Sequence, residues 1–166
     1  MFRAMRRVNC AISNDAAEKI LREGDFGVLA LSGDDGYPYS VPINYAFADE
    51  KIYFHSAKIG HKLDAIRRND KASFCVVAKH DVIAEEFTTY FISAIAFGRI
   101  KIVEDDNDPE KFRGLKLLAD KYSSTASVAR REMELNRLSA VVIPVMTIEH
   151  LTGKAARELV RGGKIS

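Results

Sequence analysis

Strand-forming runs dominate this chain, and few of the segments between them are long enough to be crossover helices. Residues 26–31, 39–47, 51–55, 72–78, 88–103 and 139–148 are rich in β-branched and aromatic side chains and are parted by polar or glycine-bearing turns. Parallel neighbours need a crossover of about a dozen residues or more. Six such runs therefore predict an antiparallel sheet, curled into a small barrel with flanking helices rather than a doubly wound parallel sheet. The run 88–103 is long and alternates poorly, as a strongly bent strand visiting both sides of a barrel would.

Helices are expected at 14–22, at 60–68 and, as one or two pieces, over 108–136. Ser13, Asn14 or Asp15 can cap the first and Gly24 can stop it. Leu63 and Ile66 give the second an inward face. Asp108-Pro109 pairs a capping residue with a proline at the first helical position. Pro42 interrupts the second strand run. Lacking an N–H, it marks an edge or a bulge, where backbone polar groups are free to meet something other than a neighbouring strand.

Size and charge narrow the function classes. With 166 residues, 47% of them hydrophobic, one sizeable core and a single domain over 1–166 are expected, with an N-terminal arm at 1–12 and a basic tail at 155–166. Arg3, Arg6 and Arg7 form a small basic cluster in that arm, read as solvated. A formal charge of +2 is too small to point to nucleic acid. No run approaches the roughly 18 apolar residues of a membrane span. Cys10 and Cys75, without a signal-peptide pattern, suit a reducing cytoplasm rather than a disulfide scaffold. Neither a GxGxxG nor a Walker loop occurs, and the four histidines lack metal-ligand spacing, so no metal is expected.

The chemistry-bearing stretch is Phe54-His55-Ser56-Ala57-Lys58-Ile59-Gly60-His61-Lys62, where a strand end runs into a helix start. A hydroxyl, basic side chains and a glycine gather where a helix presents unpaired N–H groups and the positive end of its dipole. That combination suits a phosphate. His61 and Lys62 are the expected charged contacts, Ser56 a hydroxyl donor, and Gly60 the point of close backbone approach. Lys58 reads as a solvated surface lysine.

Several blocks occur in one order: Met5-Arg6-Arg7, Gly27-Val28-Leu29-Ala30, Gly36-Tyr37-Pro38-Tyr39-Ser40-Val41-Pro42-Ile43-Asn44-Tyr45, Ile52-Tyr53-Phe54-His55-Ser56-Ala57, Gly60-His61-Lys62, Phe97-Gly98 and Leu151-Thr152-Gly153-Lys154. Together they resemble the nitroimidazole-resistance branch of the pyridoxamine 5′-phosphate oxidase-related, flavin-binding split-barrel proteins, from about Met5 to Lys154. The resemblance implies a six-stranded antiparallel Greek-key split barrel and a homodimer with two FMN sites at the subunit interface.

On that resemblance, His55, Ser56, Ala57, Gly60, His61 and Lys62 hold the phosphate end. Pro42, Ile43, Asn44 and Tyr45 lie along the ring, and Thr88, Tyr90 and Ser93 contact the partner's flavin. Tyr39 and Asn44 stand where vitamin B6 oxidases usually carry basic residues, which argues against B6 oxidation. The implied activity is an FMN-dependent oxidoreductase of nitroreductase type, passing electrons from NAD(P)H or another donor to a small electron-poor acceptor. The alternatives are a flavin carrier or sensor without turnover, and a barrel holding haem or a deazaflavin. No side chain is assigned as catalytic, because the cofactor carries the chemistry.

Overall fold

The computed structural model describes residues 2–135 and 138–162. The ends of the predicted 108–136 helical region and of the basic tail, residues 136 and 163–166, lie outside the described residues. Helix α1 (Asn14–Glu23) starts at Ser13, whose Oγ accepts the Ala16 N–H at 3.2 Å, and stops at Gly24. The sheet follows: β2 (Phe26–Ser32), β3 (Pro38–Asn44), β4 (Ala46–Ala48), β5 (Lys51–Tyr53), β7 (Lys71–Ile83), β8 (Thr88–Val103) and β9 (Val141–Ala155). Two short strands, β1 (Ala11–Ile12) and β6 (Ser56–Ala57), add to β9. Every pairing is antiparallel, in the order β3-β2-β7-β8-β9-β5-β4.

The fold class is the expected one, but the described residues form nine strands, not six. The 39–47 run breaks at Tyr45 into β3 and β4, and β1 and β6 are two-residue additions. The 72–78 run continues to Ile83. Its second half, Lys79-His80-Asp81, is polar because both faces of the outer β7–β8 hairpin meet solvent, so no alternation betrays it. The 139–148 run likewise extends to Ala155 along β8. At the bulge between Phe97 and Gly98, a Cβ on Gly98 would stand 2.0 Å from the Thr147 carbonyl oxygen, so only glycine fits where this strand bends.

Closure of the sheet rests on Tyr45. β3 and β4 lie at opposite ends of the strand order, yet this single residue joins them. Its backbone groups fall off both ladders and need other partners. The end of α3 (Pro109–Tyr122) supplies them: the Tyr122 hydroxyl accepts the Tyr45 N–H at 3.0 Å, and the Lys121 ammonium donates to the carbonyls of Tyr45 (3.0 Å) and Gly24 (2.6 Å). At the helix's other end, Tyr53 donates its hydroxyl to Glu110 at 2.7 Å and Lys51 bonds the same carboxylate at 3.1 Å. A small cluster including Tyr53, Val103, Leu118 and Ile143 fills the space beneath α3.

The main core lies inside the barrel, from Leu29, Phe74, Val76, Ala96, Phe54 and Met146, covered by Leu21 of α1 and by Ala65 and Ile66 of α2 (His61–Arg68). The outer face is different. Pro42, Val28, Cys75, Ile95 and Thr152 form one uncharged row across five strands, and Ser40, Ala30, Ser73, Phe97 and His150 form the next. Beyond β8 and before β9 comes a second helix of this region, α4 (Val128–Leu135), and α5 (Arg157–Arg161) follows β9. No helix among the described residues is long and apolar enough to cross a membrane.

Candidate functional site

Gly60 starts α2 with φ at +142°, a conformation that side-chain-bearing residues rarely adopt. As the N-cap it has no side chain to close the first turn. Its carbonyl takes the N–H groups of Leu63 (2.9 Å) and Asp64 (3.2 Å), while those of His61 and Lys62 have no partner among the described residues. The approach to this turn is fixed by β6, with Ser56 opposite Val142 and Ala57 opposite Val141, and by the Phe54 N–H on the Pro144 carbonyl at 3.0 Å.

Lys62 is half-buried, and no carboxylate among the described residues pairs with it. Burial pushes its pKa down. The pKa of His55 is lowered too, first by burial and then by the nearby Lys62 ammonium. Two basic groups thus crowd each other without an internal counter-ion. A cation withdrawn from water and left unpaired costs free energy, which an incoming anion would offset.

His61 is engaged elsewhere. Its ring stacks on Tyr39, with centroids 4.1 Å apart, and Nε2 lies 3.2 Å from the Asp34 carboxylate, which also bonds Arg68 at 2.5 Å. Asp34 sits in the β2–β3 turn and Tyr39 on β3, so the histidine meets them only once that hairpin is laid over the start of α2. No local pattern in the sequence announces the pairing.

The ring-side candidates divide by strand geometry. Pro42 and Asn44 point outward on the edge strand β3, whereas Ile43 faces the other way and packs on the core. Tyr45 is fully buried, edge-on to Phe74, and its hydroxyl has no hydrogen-bond partner among the described residues. Burial is the main cause that raises its pKa. Of the ring-side candidates, only the outward side chains of Pro42 and Asn44 are open to a ligand; the Tyr45 backbone is taken by Tyr122 and Lys121.

Thr88, Tyr90 and Ser93 lie on the β7–β8 hairpin, opposite Ile83, Asp81 and Val77. Tyr90 donates its hydroxyl to Glu86 at 2.7 Å. The end of α2 meets β8 near Ile100, whose N–H bonds Asp70, so these three residues stand farther along the strand. One chain alone does not gather them with Ser56–Lys62.

The donor set at the start of α2 fits a phosphate: the Lys62 ammonium, the Ser56 hydroxyl, two unpaired N–H groups and a glycine that keeps the approach open. Tyr39, in contact with His61, is separated from Asn44 by roughly 17 Å of strand. Tyr39 faces inward like Ile43 and Pro42 and Asn44 face outward, so a phosphate at α2 and a flat ring beside the latter two would lie on opposite sides of the free edge of β3.

An antiparallel sheet closed through a single corner residue, with a few flanking helices, is a split barrel. The chain belongs to the pyridoxamine 5′-phosphate oxidase family, whose profile matches residues 13–155. Solved structures agree on the fold. A conserved hypothetical protein of Mycobacterium tuberculosis superposes with a TM-score of 0.78 at 18% identity, covering 94% of this chain and 92% of the other. A candidate 5-nitroimidazole antibiotic resistance protein of Bacteroides thetaiotaomicron gives 0.73 at 21% identity, over 87% and 86% of the two chains. The FAD- and haem-binding protein of Mycobacterium smegmatis gives 0.69 at 21% identity, over 91% and 78%. No curated protein matches the sequence.

Proposed function

We propose that this protein is an FMN-binding flavoprotein, an oxidoreductase of nitroreductase type acting as a homodimer on a small electron-poor acceptor. The observation that carries the cofactor reading is Lys62, a half-buried ammonium with no internal counter-ion among the described residues, beside two unpaired helix N–H groups. The flavin, when bound, supplies the redox chemistry. Ser56, Lys62 and the first turn of α2 hold its phosphate, His55 adds positive charge when protonated, and Pro42 and Asn44 flank the ring. Relatives that bind FAD and haem, or are linked to nitroimidazole resistance, support a flavin and this type of acceptor. NAD(P)H or a comparable donor completes the cycle. The homodimer reading draws support from the uncharged outer rows of the sheet and from the distance of Thr88, Tyr90 and Ser93 from their own chain's α2.

The test compares FMN with riboflavin, which lacks the phosphate. Lys62→Ala should weaken FMN by about tenfold or more, the size of a lost charge-assisted hydrogen bond, and leave riboflavin nearly unchanged. Titration by flavin fluorescence reads both. Equal losses for the two ligands would overturn the assignment.

A further inference from the structure

A groove of about 610 Å³ runs between α1 and the β7–β8 hairpin, within the size range of small-molecule sites. Its floor is apolar, from Ile20, Phe26, Val77 and Ile92. Phe26 and Val77 stand largely exposed, at 61% and 59%, so their apolar surface is open within the groove. The rim is acidic: Asp15, Glu23 and Asp25 face a single lysine, Lys19, which lies 4.0 Å from Glu23. Lys79, next along β7, is paired with Asp81 at 2.9 Å, and Lys121, whose ammonium is held on two backbone carbonyls, offsets Asp25 in part, so the rim keeps a net negative charge.

Two further features fix the groove's position in the molecule. Phe26 pairs with Asn44, expected beside this chain's flavin ring, and Val77 with Ser93, expected to reach the partner's flavin, so the groove abuts its own ring position on the Asn44 side. Gly24 lines the groove, and a Cβ there would stand 2.8 Å from the buried, unpartnered Tyr45 hydroxyl. An orphaned polar atom thus lies directly behind the wall.

We infer that this groove is the acceptor pocket beside the flavin ring and that it admits apolar organic cations while rejecting anions. The placement next to the ring rests on the flavin reading above; the charge selection rests on the groove itself. Positive charge on a ring also makes it electron-poor, so the rim would favour molecules that accept electrons readily. Phosphorylated substrates would meet three carboxylates at the entrance.

The test uses a matched pair of probes with one ring and opposite charges, 4-nitrobenzyltrimethylammonium and 4-nitrobenzoate. Binding is measured by isothermal titration calorimetry to the full chain, with and without FMN. The cation should bind about tenfold or more tighter at low salt, and the gap should shrink in about 0.5 M salt, where exposed charges are screened. Glu23→Gln with Asp25→Asn, both at exposed positions, should shrink it as well. Equal or tighter binding of the anion, no binding of either probe, or a gap indifferent to both salt and substitution would each overturn the inference. Cation preference in a protein that takes no flavin would instead sink the flavin reading and leave the groove's selectivity standing.

Discussion

Among single residues, the contrast between neighbours His61 and Lys62 decides how the proposed anion site would work. Both looked like phosphate cations in the sequence, because both follow Gly60 at a helix start. The fold commits His61 to Asp34 and Tyr39 and leaves Lys62 uncompensated. His61→Ala should therefore cost less FMN affinity than Lys62→Ala, measured in parallel titrations. His55 makes the site pH-dependent. In the free protein burial and Lys62 hold its pKa down, so it is largely neutral near pH 7. A bound phosphate stabilises the imidazolium, so binding takes up a proton and this contribution weakens as pH rises. FMN's own phosphate titrates near pH 6 with the opposite effect, and the comparison must cancel it. Between pH 6 and 8 the ratio of wild-type to His55→Gln affinity for FMN should fall, whereas the same ratio for riboflavin should stay flat.

Among the elements, legibility followed locality. Ser13 capping α1, Asp108 before Pro109 at α3, and Gly60 before α2 were readable because a cap, a proline or a glycine acts within a few residues. What stayed hidden depends on partners distant in the chain: the outer half of β7, held only by β8, and the corner at Tyr45, held by the end of α3. The 39–47 run carries no break signal at Tyr45 itself, since its alternation continues through the corner. That corner makes a specific claim about α3. The Tyr122 hydroxyl satisfies a Tyr45 N–H that no strand reaches, and it also lies against the Asp25 carbonyl. Tyr122→Phe should destabilise the fold by about 1–3 kcal/mol, the cost of stranding a buried donor. Thermal or urea unfolding monitored by circular dichroism would measure it. A loss well below that range would mean that solvent accepts the Tyr45 N–H in place of the hydroxyl.

For the whole molecule, the question is what covers the outer face of the barrel. Monomeric soluble proteins seldom leave broad uncharged surfaces open, and here two adjacent rows of five strands carry no ionisable side chain but Cys75 and His150, with only the Phe97–His150 end of the second row covered, by Phe2 of the same chain. Burial raises the Cys75 pKa, so its thiol behaves as an apolar group. The proposed homodimer would cover this face with a second copy, and it would also give Thr88, Tyr90 and Ser93 another chain's α2 to face. Ile95 lies at the crossing of β7, β8 and β9 within that face, so Ile95→Lys would bury an unpaired ammonium in each half of a symmetric interface. The expected result is a folded monomer by sedimentation velocity that has lost most of its flavin, although no residue of the α2 site has changed. Lys62→Ala makes the reciprocal case, a dimer that has lost FMN but keeps its mass. A wild-type chain that sediments as a monomer, or an Ile95→Lys monomer that still holds FMN tightly, would show that each barrel completes its own site and that the outer rows serve another partner.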